Sequence, residues 1–153
     1  MNFKDLKPQA RTIPSAISTV VLCLLIGGCG EAAKPWEEVV AVSGKLTFEG
    51  KPIDGAEVTL FPTTSEFPET VRPSGTTSGD GTFALGTYGT ADGAPAGEYN
   101  ASVVWFKVVD SGGSMVRGAN VLPARYANAE TSGIKVVVNA SESALPAIDL
   151  KKK

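Results

Sequence analysis

The sequence predicts an all-β protein, a β-sandwich of about seven antiparallel strands. Short segments, such as those within residues 42–62, alternate between apolar and polar side chains, which is the period of a strand with one buried face. Turn formers separate these segments, since the chain contains 17 Gly and 10 Pro. No segment after residue 28 has the 3.6-residue period of an amphipathic helix, so two packed sheets are the predicted core.

The N-terminus has the pattern of a secretory signal peptide. Three basic residues, Lys4, Lys7 and Arg11, precede an apolar run at residues 13–26, and this order of a charged and an apolar region is typical of such signals. The run of 14 residues is shorter than the roughly 20 residues that a membrane-spanning helix needs. We therefore expect residues 1–28 to be a signal peptide that is removed.

Ile26-Gly27-Gly28-Cys29 resembles a bacterial lipobox, in which small residues precede a cysteine that receives a diacylglyceryl group. This resemblance predicts cleavage between Gly28 and Cys29 and lipid attachment at Cys29. A disulfide between Cys23 and Cys29 is the alternative, but Cys23 lies within the signal peptide and would be removed with it. The predicted location is the bacterial cell envelope, with the lipid in the membrane.

Residues 29–38 are predicted to be a short tether, because they have neither a helical nor a strand period. Gly30 follows the lipidation site, and the absence of Asp there resembles lipoproteins that are sorted to an outer rather than an inner membrane. Trp36, the large apolar residue of the tether, either anchors at the membrane interface or folds back onto the domain. The sandwich domain is predicted to span residues 39–153.

The first two strands are predicted at residues 39–48 and 56–61. The connection between them contains Gly50, Pro52 and Gly55, which are turn residues, so the two strands are predicted to form the first hairpin. Residues 63–73 lack a period and are predicted to be a surface loop.

A second hairpin is predicted at residues 75–85, because Asp80-Gly81 separates two short extended runs. Asp-Gly between such runs is a strong signal for a hairpin turn. Phe83 and Leu85 fall on one face of the second run, so both are predicted core residues.

The longest strand is predicted at residues 98–109, and it is apolar on both faces around Trp105. Its second face is therefore either covered by another element or open as an apolar surface. After it we expect a Gly-rich break at 111–114, an irregular crossing or single helical turn within 116–128, and final strands at 134–139 and 147–150.

Composition argues against several functions. The chain has no His, the commonest general base, and the 11 basic against 15 acidic residues from Cys29 onward give a net charge of −4, so nucleic acid is not a predicted partner. Ser132-Gly133-Ile134-Lys135 matches the S-x-x-K motif of penicillin-binding enzymes, but it runs into a predicted strand and the partner motifs are missing. We predict no catalytic residues and a protein that is not an enzyme.

The sequence also predicts no metal site and no cofactor. Asp80 and Asp92 each precede a Gly in a predicted turn, and neither has the spacing of a calcium-binding loop. Hairpin and turn chemistry explains both aspartates. The sequence contains no Cys or His cluster and no Gly-rich phosphate loop between a strand and a helix.

Tyr88, Trp105 and Tyr126, together with Tyr99, are candidates for an exposed platform on which a sugar ring stacks. Aromatic residues at strand positions more often fill the core, because their burial stabilises the fold. From the sequence both interpretations stay open for these side chains.

Most of residues 39–150 resembles a known module. The segments VSGKLTFEGKPIDGAEVTLFP (42–62), GTTSGDGTFAL (75–85) and DGAPAGEY (92–99) are similar to the carboxypeptidase regulatory-like, transthyretin-like family. The later segments LPARY (122–126) and TSGIKVVV (131–138) resemble small planctomycete lipoproteins that combine this module with a lipobox.

The resemblance implies a prealbumin-like or immunoglobulin-like sandwich with Phe83 and Tyr99 in its core and with no catalytic residue. The leading hypothesis is a non-enzymatic, membrane-anchored envelope lipoprotein whose sandwich is a structural or protein-interaction module. The second hypothesis is a carbohydrate-binding module that uses exposed aromatic residues, with an envelope polysaccharide as its partner.

Overall fold

Strand β1 (Val42–Phe48) is the centre of the first of two sheets. One of its edges pairs in parallel with β9 (Ser143–Ala144) and then with β10 (Ile148–Leu150). The other edge pairs antiparallel with β5 (Thr82–Ala84) and with β2 (Lys51–Pro52). Because each pair of short strands lies end to end along one edge of β1, this sheet has three strand positions.

The second sheet is built on β6 (Gly97–Ser111), a strand of 15 residues. One edge of β6 pairs with β3 (Ala56–Pro62), which pairs in turn with β4 (Ser74–Thr76). The other edge pairs first with β8 (Lys135–Val138) and farther along with β7 (Ser114–Asn120). Its four positions and the three of the first sheet give a sandwich of seven.

The computed structural model describes residues 34, 36–141 and 143–153, all within one compact unit. The predicted signal peptide, the cleavage site between Gly28 and Cys29, and the lipidation site at Cys29 lie outside the described residues. Within the described part, the predicted all-β sandwich is confirmed. The helical pieces there are a 3-10 turn (Ala124–Ala127) and α1 (Ala129–Ser132).

The first predicted hairpin is wrong in its strand pairing. β1 and β3 lie in different sheets, and β1 turns back instead onto β2 through Glu49-Gly50. Both turn residues have positive φ, 54° and 77°, as a two-residue type I′ hairpin turn requires. The second predicted hairpin is present in part: β4 and β5 pair mainly with β3 and β1, but Ser74 also pairs antiparallel with Gly86, and the Ser78 N–H donates to the Thr82 carbonyl at 2.8 Å. An alternating pattern shows which face of a strand is buried, but it does not identify the neighbour at either edge.

Thr77 fixes the point where the chain crosses from the second sheet to the first. Its N–H donates to the Ala56 carbonyl (2.8 Å), and its own carbonyl accepts from the Gly55 N–H (2.9 Å). Its buried hydroxyl accepts from the Ala56 N–H at 2.9 Å. Asp80 then accepts from the N–H and the hydroxyl of Thr82, and the Gly81 N–H donates to the Ser78 carbonyl at 2.7 Å, so the predicted turn chemistry at Asp80-Gly81 is present.

One core lies between the two sheets. Phe83, Leu85 and Tyr99 are buried in it, which confirms the prediction for the first two residues. The predicted surface loop at 63–73 also contributes Phe67 and Val71, which are buried. The predicted loop is present and mostly exposed, but its buried residues were not predicted, because isolated apolar residues without a period leave no pattern in the sequence.

Residues 121–134 fill the gap between β7 and β8 on the edge of β6. Tyr126 in the 3-10 turn is buried, and its hydroxyl accepts from the Lys151 N–H (2.9 Å) and donates to the Lys151 carbonyl (3.1 Å). The Arg125 guanidinium also donates to that carbonyl, at 2.6 Å. The predicted single helical turn is therefore present, and it joins the second sheet to the end of β10.

We predict that Thr77→Val destabilises the protein by about 1–3 kcal/mol, because it leaves the buried N–H of Ala56 without its side-chain acceptor. Urea denaturation measures this loss as a lower midpoint with an unchanged slope. Thr76→Val is the matched control, since Thr76 is exposed, and we expect a change within about 0.5 kcal/mol. Equal effects of the two substitutions would contradict the role of Thr77.

Candidate functional site

Beyond the body of the sandwich, β6 and β7 continue together as a two-stranded ribbon, residues 106–117, which we call the arm. Val109 pairs with Val116, and Ser111 pairs with Ser114. Gly112 and Gly113 form the turn with φ of 66° and 90°. The Asp110 side chain accepts from the Gly113 N–H at 2.8 Å, so the turn at the end of the arm is held by its own side chain.

The sequence does not predict β7, which lies where a break and an irregular crossing were expected. Gly118 interrupts its apolar pattern at the place where the register with β6 shifts, between Phe106 and Val108. A Cβ at residue 118 would lie 2.8 Å from the carbonyl oxygen of Lys107. The irregularity therefore needs a glycine, and that glycine removes the signal of a regular strand.

The outer face of the arm is fixed at its base by Phe106 and Arg117. The Arg117 guanidinium carbon lies 3.5 Å from the centre of the Phe106 ring, and a guanidinium nitrogen lies 3.7 Å from the Glu57 carboxylate of β3. The cation contacts the ring and also faces an acidic group. This arrangement ties the start of the arm to the body of the second sheet.

The opposite face is fixed by Trp105. Its indole N–H donates to the Asp54 carbonyl (2.8 Å), and the Lys107 ammonium lies 5.0 Å from the ring centre. The backbone N–H of Trp105 donates to the Asn120 side chain at 2.9 Å, where β7 leaves β6. Trp105 is half-buried and packs against the core, so one of its faces is already occupied by protein.

Past this base the arm is apolar and uncovered. Seven large hydrophobic side chains are exposed in the described residues, and five of them lie on the arm or just after β7. These five are Val108, Val109, Met115, Val116 and Val121. Met115 is 71% exposed. Such a concentration marks a contact surface rather than scattered surface residues.

The outer edge of β7 is open. In the part of the chain that the structure describes, β7 pairs only with β6 and ends the sheet. An edge strand offers unpaired N–H and carbonyl groups, and proteins usually protect such edges with proline, several charges or a covering element. Arg117 is the one charged residue of β7, and the strand contains no proline.

The three aromatic residues predicted as a stacking platform lie apart. Tyr126 is buried at the closed end of the core, and Trp105 lies at the base of the arm. Tyr88, in contrast, is 58% exposed on the loop between β5 and β6. Of the three, Tyr88 therefore offers the most open ring.

Asp92 shapes the loop that carries Tyr88. Its carboxylate accepts from the backbone N–H groups of Thr87 (2.7 Å), Tyr88 (3.1 Å) and Gly89 (2.8 Å). Ala91 next to it has φ of 55°, a left-handed conformation that is uncommon for a residue with a Cβ. Asp92 thus acts as the centre of a tight turn, as its sequence context predicts, and the turn holds Tyr88 outward.

Trp36 meets Tyr88 from the N-terminal segment. The Tyr88 hydroxyl donates to the Trp36 carbonyl, and the Trp36 ring packs edge-on against Phe67 with 6.3 Å between centroids. Phe67 packs in the same way on Tyr99, at 6.2 Å. Trp36 therefore folds back onto the domain, which is one of the two alternatives that the sequence left open for it.

Between Trp36 and Tyr88 lies a cleft of about 400 Å³, which we call the aromatic cleft. Its other lining residues are Glu37, Pro68, Thr70 and Val71. Burial raises the pKa of the Tyr88 phenol, and the charges of Glu37 and Asp92 raise it further. The cleft therefore combines aromatic walls with two carboxylates that act on the Tyr88 ring.

A larger groove of about 780 Å³ runs between β4 and the loop at 86–91. Most of its side chains carry hydroxyl groups, namely Ser43, Ser74, Thr76, Ser78, Thr82 and Thr90. Its carboxylate, Glu57, faces Arg117 at 3.7 Å. This groove therefore offers mainly groups that donate and accept hydrogen bonds.

The candidate S-x-x-K pair does not form a reactive site. Ser132 ends α1, just before the strand that the motif runs into, and its hydroxyl donates to the Ala129 carbonyl (3.2 Å) and accepts from the Ile134 N–H (3.1 Å). Lys135 is exposed on β8. Within the described residues, no group of three or more acidic or Cys side chains could hold a metal ion, and no helix is long and apolar enough to cross a bilayer.

No protein-family model and no curated protein matches this chain. Among solved structures, a 9R-lipoxygenase from Cyanothece is similar over 74% of this chain but only 17% of its own, with 16% identity and a TM-score of 0.39. A candidate carbohydrate-binding protein from Pseudomonas aeruginosa is similar over 74% of this chain and 88% of its own, with 16% identity and a TM-score of 0.34. Scores this low assign neither protein's function to this chain.

We predict that Tyr88→Phe loosens Trp36, because the hydroxyl that holds the Trp36 carbonyl is lost. Acrylamide quenching of Trp36 fluorescence, measured in a Trp105→Phe background that removes the other tryptophan, should increase, while stability falls by about 1 kcal/mol or less. Thr70→Val is the control, since Thr70 lines the same cleft and should leave quenching unchanged. Unchanged quenching in Tyr88→Phe would disprove the coupling.

Proposed function

We propose that this chain is a lipid-anchored protein of the bacterial cell envelope, and that its sandwich is a non-enzymatic interaction module whose contact surface is the arm. The observation that carries the proposal is the open edge of β7 beside five exposed apolar side chains. A strand of a partner protein can add to such an edge, where main-chain hydrogen bonds give affinity and alternate side chains give specificity.

The place where the predicted tether joins the domain supports this role. Phe67 contacts Trp36 and also lies beside Gly97, the first residue of β6. From there β6 runs for about 45 Å to the end of the arm. The tether therefore enters the domain at the end of β6 that is remote from the arm, and seven peptide units, at most about 25 Å of chain, connect Trp36 to Cys29.

The non-enzymatic half of the proposal is supported by the local hydrogen bonds of Ser132 and by the lack of a His residue. Membership of the transthyretin-like, carboxypeptidase regulatory-like family also remains a proposal. Its support is the seven-position sandwich and the burial of Phe83 and Tyr99, as the resemblance implies. We propose sorting to the outer membrane only because Gly30, and not Asp, follows the lipidation site.

Carbohydrate binding is the second candidate function, and the aromatic cleft favours it. Tyr88 exposes 58% of its surface beside Trp36, so one sugar ring could stack there. Tyr126 and Trp105 add no second open ring to this platform. We therefore rank the polysaccharide partner below a partner protein that binds the arm.

We predict that Cys29→Ser abolishes lipid attachment and moves the protein out of the detergent phase when the full chain is expressed in a bacterium. The wild-type chain should have a mature mass that begins at Cys29 with a diacylglyceryl group added. Intact mass and detergent partitioning measure both outcomes. Wild-type protein without the lipid mass, or a Cys29→Ser variant that partitions as wild type does, would contradict the anchor.

We predict that the arm contacts a partner in the cell. A photo-reactive benzoylphenylalanine at Met115 should give a light-dependent adduct, while the same residue at Val137 should not, although Val137 is also 55% exposed. Val116→Lys should reduce the Met115 adduct and leave stability within about 0.5 kcal/mol, because Val116 is exposed. No adduct at Met115, or equal adducts at both positions, would contradict the arm as contact surface.

A further inference from the structure

The lining of the aromatic cleft is mainly aromatic, apolar and acidic, and it offers few groups that could hydrogen-bond to a neutral ligand. Trp36, Tyr88, Pro68 and Val71 supply its apolar walls. The Tyr88 hydroxyl is already donated to the Trp36 carbonyl, so it is not free to donate to a ligand. A neutral sugar would need several polar partners here, and apart from Glu37 the lining offers Thr70.

Two carboxylates act on the cleft, and the Lys34 ammonium partly balances one of them. Glu37 is a lining residue whose carboxylate accepts from the Lys34 N–H (3.2 Å) and lies 3.8 Å from the Lys34 ammonium. The Asp92 carboxylate accepts from the Tyr88 N–H at 3.1 Å. Both charges raise the pKa of the Tyr88 phenol, which means that both act on the same ring. An aromatic face with acidic groups beside it attracts a cation.

The chain itself places an ammonium group in this environment. The Lys34 ammonium lies 5.9 Å from the centre of the Trp36 ring and 3.8 Å from a Glu37 carboxylate oxygen. Lys34 therefore shows, within one molecule, that the indole and the carboxylate can contact the same cation. Its side chain is exposed, and Lys34 is not among the residues that line the cleft.

We propose that the aromatic cleft is a binding site for an alkylammonium group, which contacts the rings of Trp36 and Tyr88 and pairs with the Glu37 carboxylate. Contact with two aromatic faces provides cation–π attraction, and the carboxylate provides a charge-assisted hydrogen bond. The alkyl part of the ligand packs on Pro68 and Val71. This site does not depend on the lipid anchor or on the arm.

The test uses the full chain in a non-ionic detergent, with Trp105→Phe so that Trp36 is the remaining tryptophan. Butylammonium chloride should change Trp36 fluorescence in a saturable way. The uncharged 1-butanol, which has the same alkyl chain, and N-acetylglucosamine should not do so at the same concentrations. If Trp105→Phe does not fold, the indole N–H resonance of Trp36 in the otherwise unchanged chain gives the same readout.

Two carboxylate variants make the test specific. Glu37→Gln should weaken butylammonium binding by about fivefold or more, because a charged partner is replaced by a neutral one of the same size. Glu38→Gln is the matched control, since Glu38 is exposed and does not line the cleft, and it should change the affinity less than twofold. Tyr88→Ala should weaken binding as Glu37→Gln does.

The ammonium group could belong to a lipid headgroup or to a peptide, and two soluble probes distinguish these sources. Glycerophosphoethanolamine carries the headgroup amine, and Nα-acetyl-lysine amide carries the peptide amine. The tighter binder of the two identifies the source. The proposal is overturned if 1-butanol or N-acetylglucosamine binds as well as butylammonium does, or if Glu37→Gln and Glu38→Gln behave alike.

Discussion

The structure depends on one strand that is longer than the sandwich around it. β6 pairs with β3 and β8 over residues 97–105, and from residue 106 onward it pairs only with β7. The first part supplies Tyr99, Ala101 and Val103 to the core. The second part extends past the opposite sheet, so no second layer covers it. The arm, its exposed apolar residues and the open edge of β7 all follow from this excess length.

The sequence predicts the strands more completely than it predicts their partners. Alternation located β1 and β3, because burial on one face has a period of two, and a run that is apolar on both faces located β6. It could not predict that β1 and β3 lie in different sheets, since edge pairing depends on contacts far apart in the chain. The sequence left open whether the second face of β6 is covered or exposed, and the structure has both. Arg117 covers Phe106 at the base of the arm, whereas Val108 farther along the strand is exposed.

The sequence likewise does not predict which residues come together in the aromatic cleft. Tyr88 was a candidate from its residue type, and Asp92 from its turn context. Trp36 was noted without a partner, and it lies 52 residues from Tyr88 in the chain. Phe67 and Val71 position it, yet they come from a loop with no periodic signal. A site assembled from a tether, a loop and a turn has no local pattern, because tertiary packing alone brings its residues together.

The two candidate surfaces lie at opposite ends of β6, and this separation has an energetic consequence. Gly97 lies beside Phe67 at the cleft end, and Ser111 ends β6 at the tip of the arm, about 45 Å away. Substitutions at sites that far apart, with no shared contacts, have additive effects on stability. The base of the arm is held independently by Trp105 and Phe106. A ligand in the cleft and a partner on the arm are therefore expected to bind independently of each other.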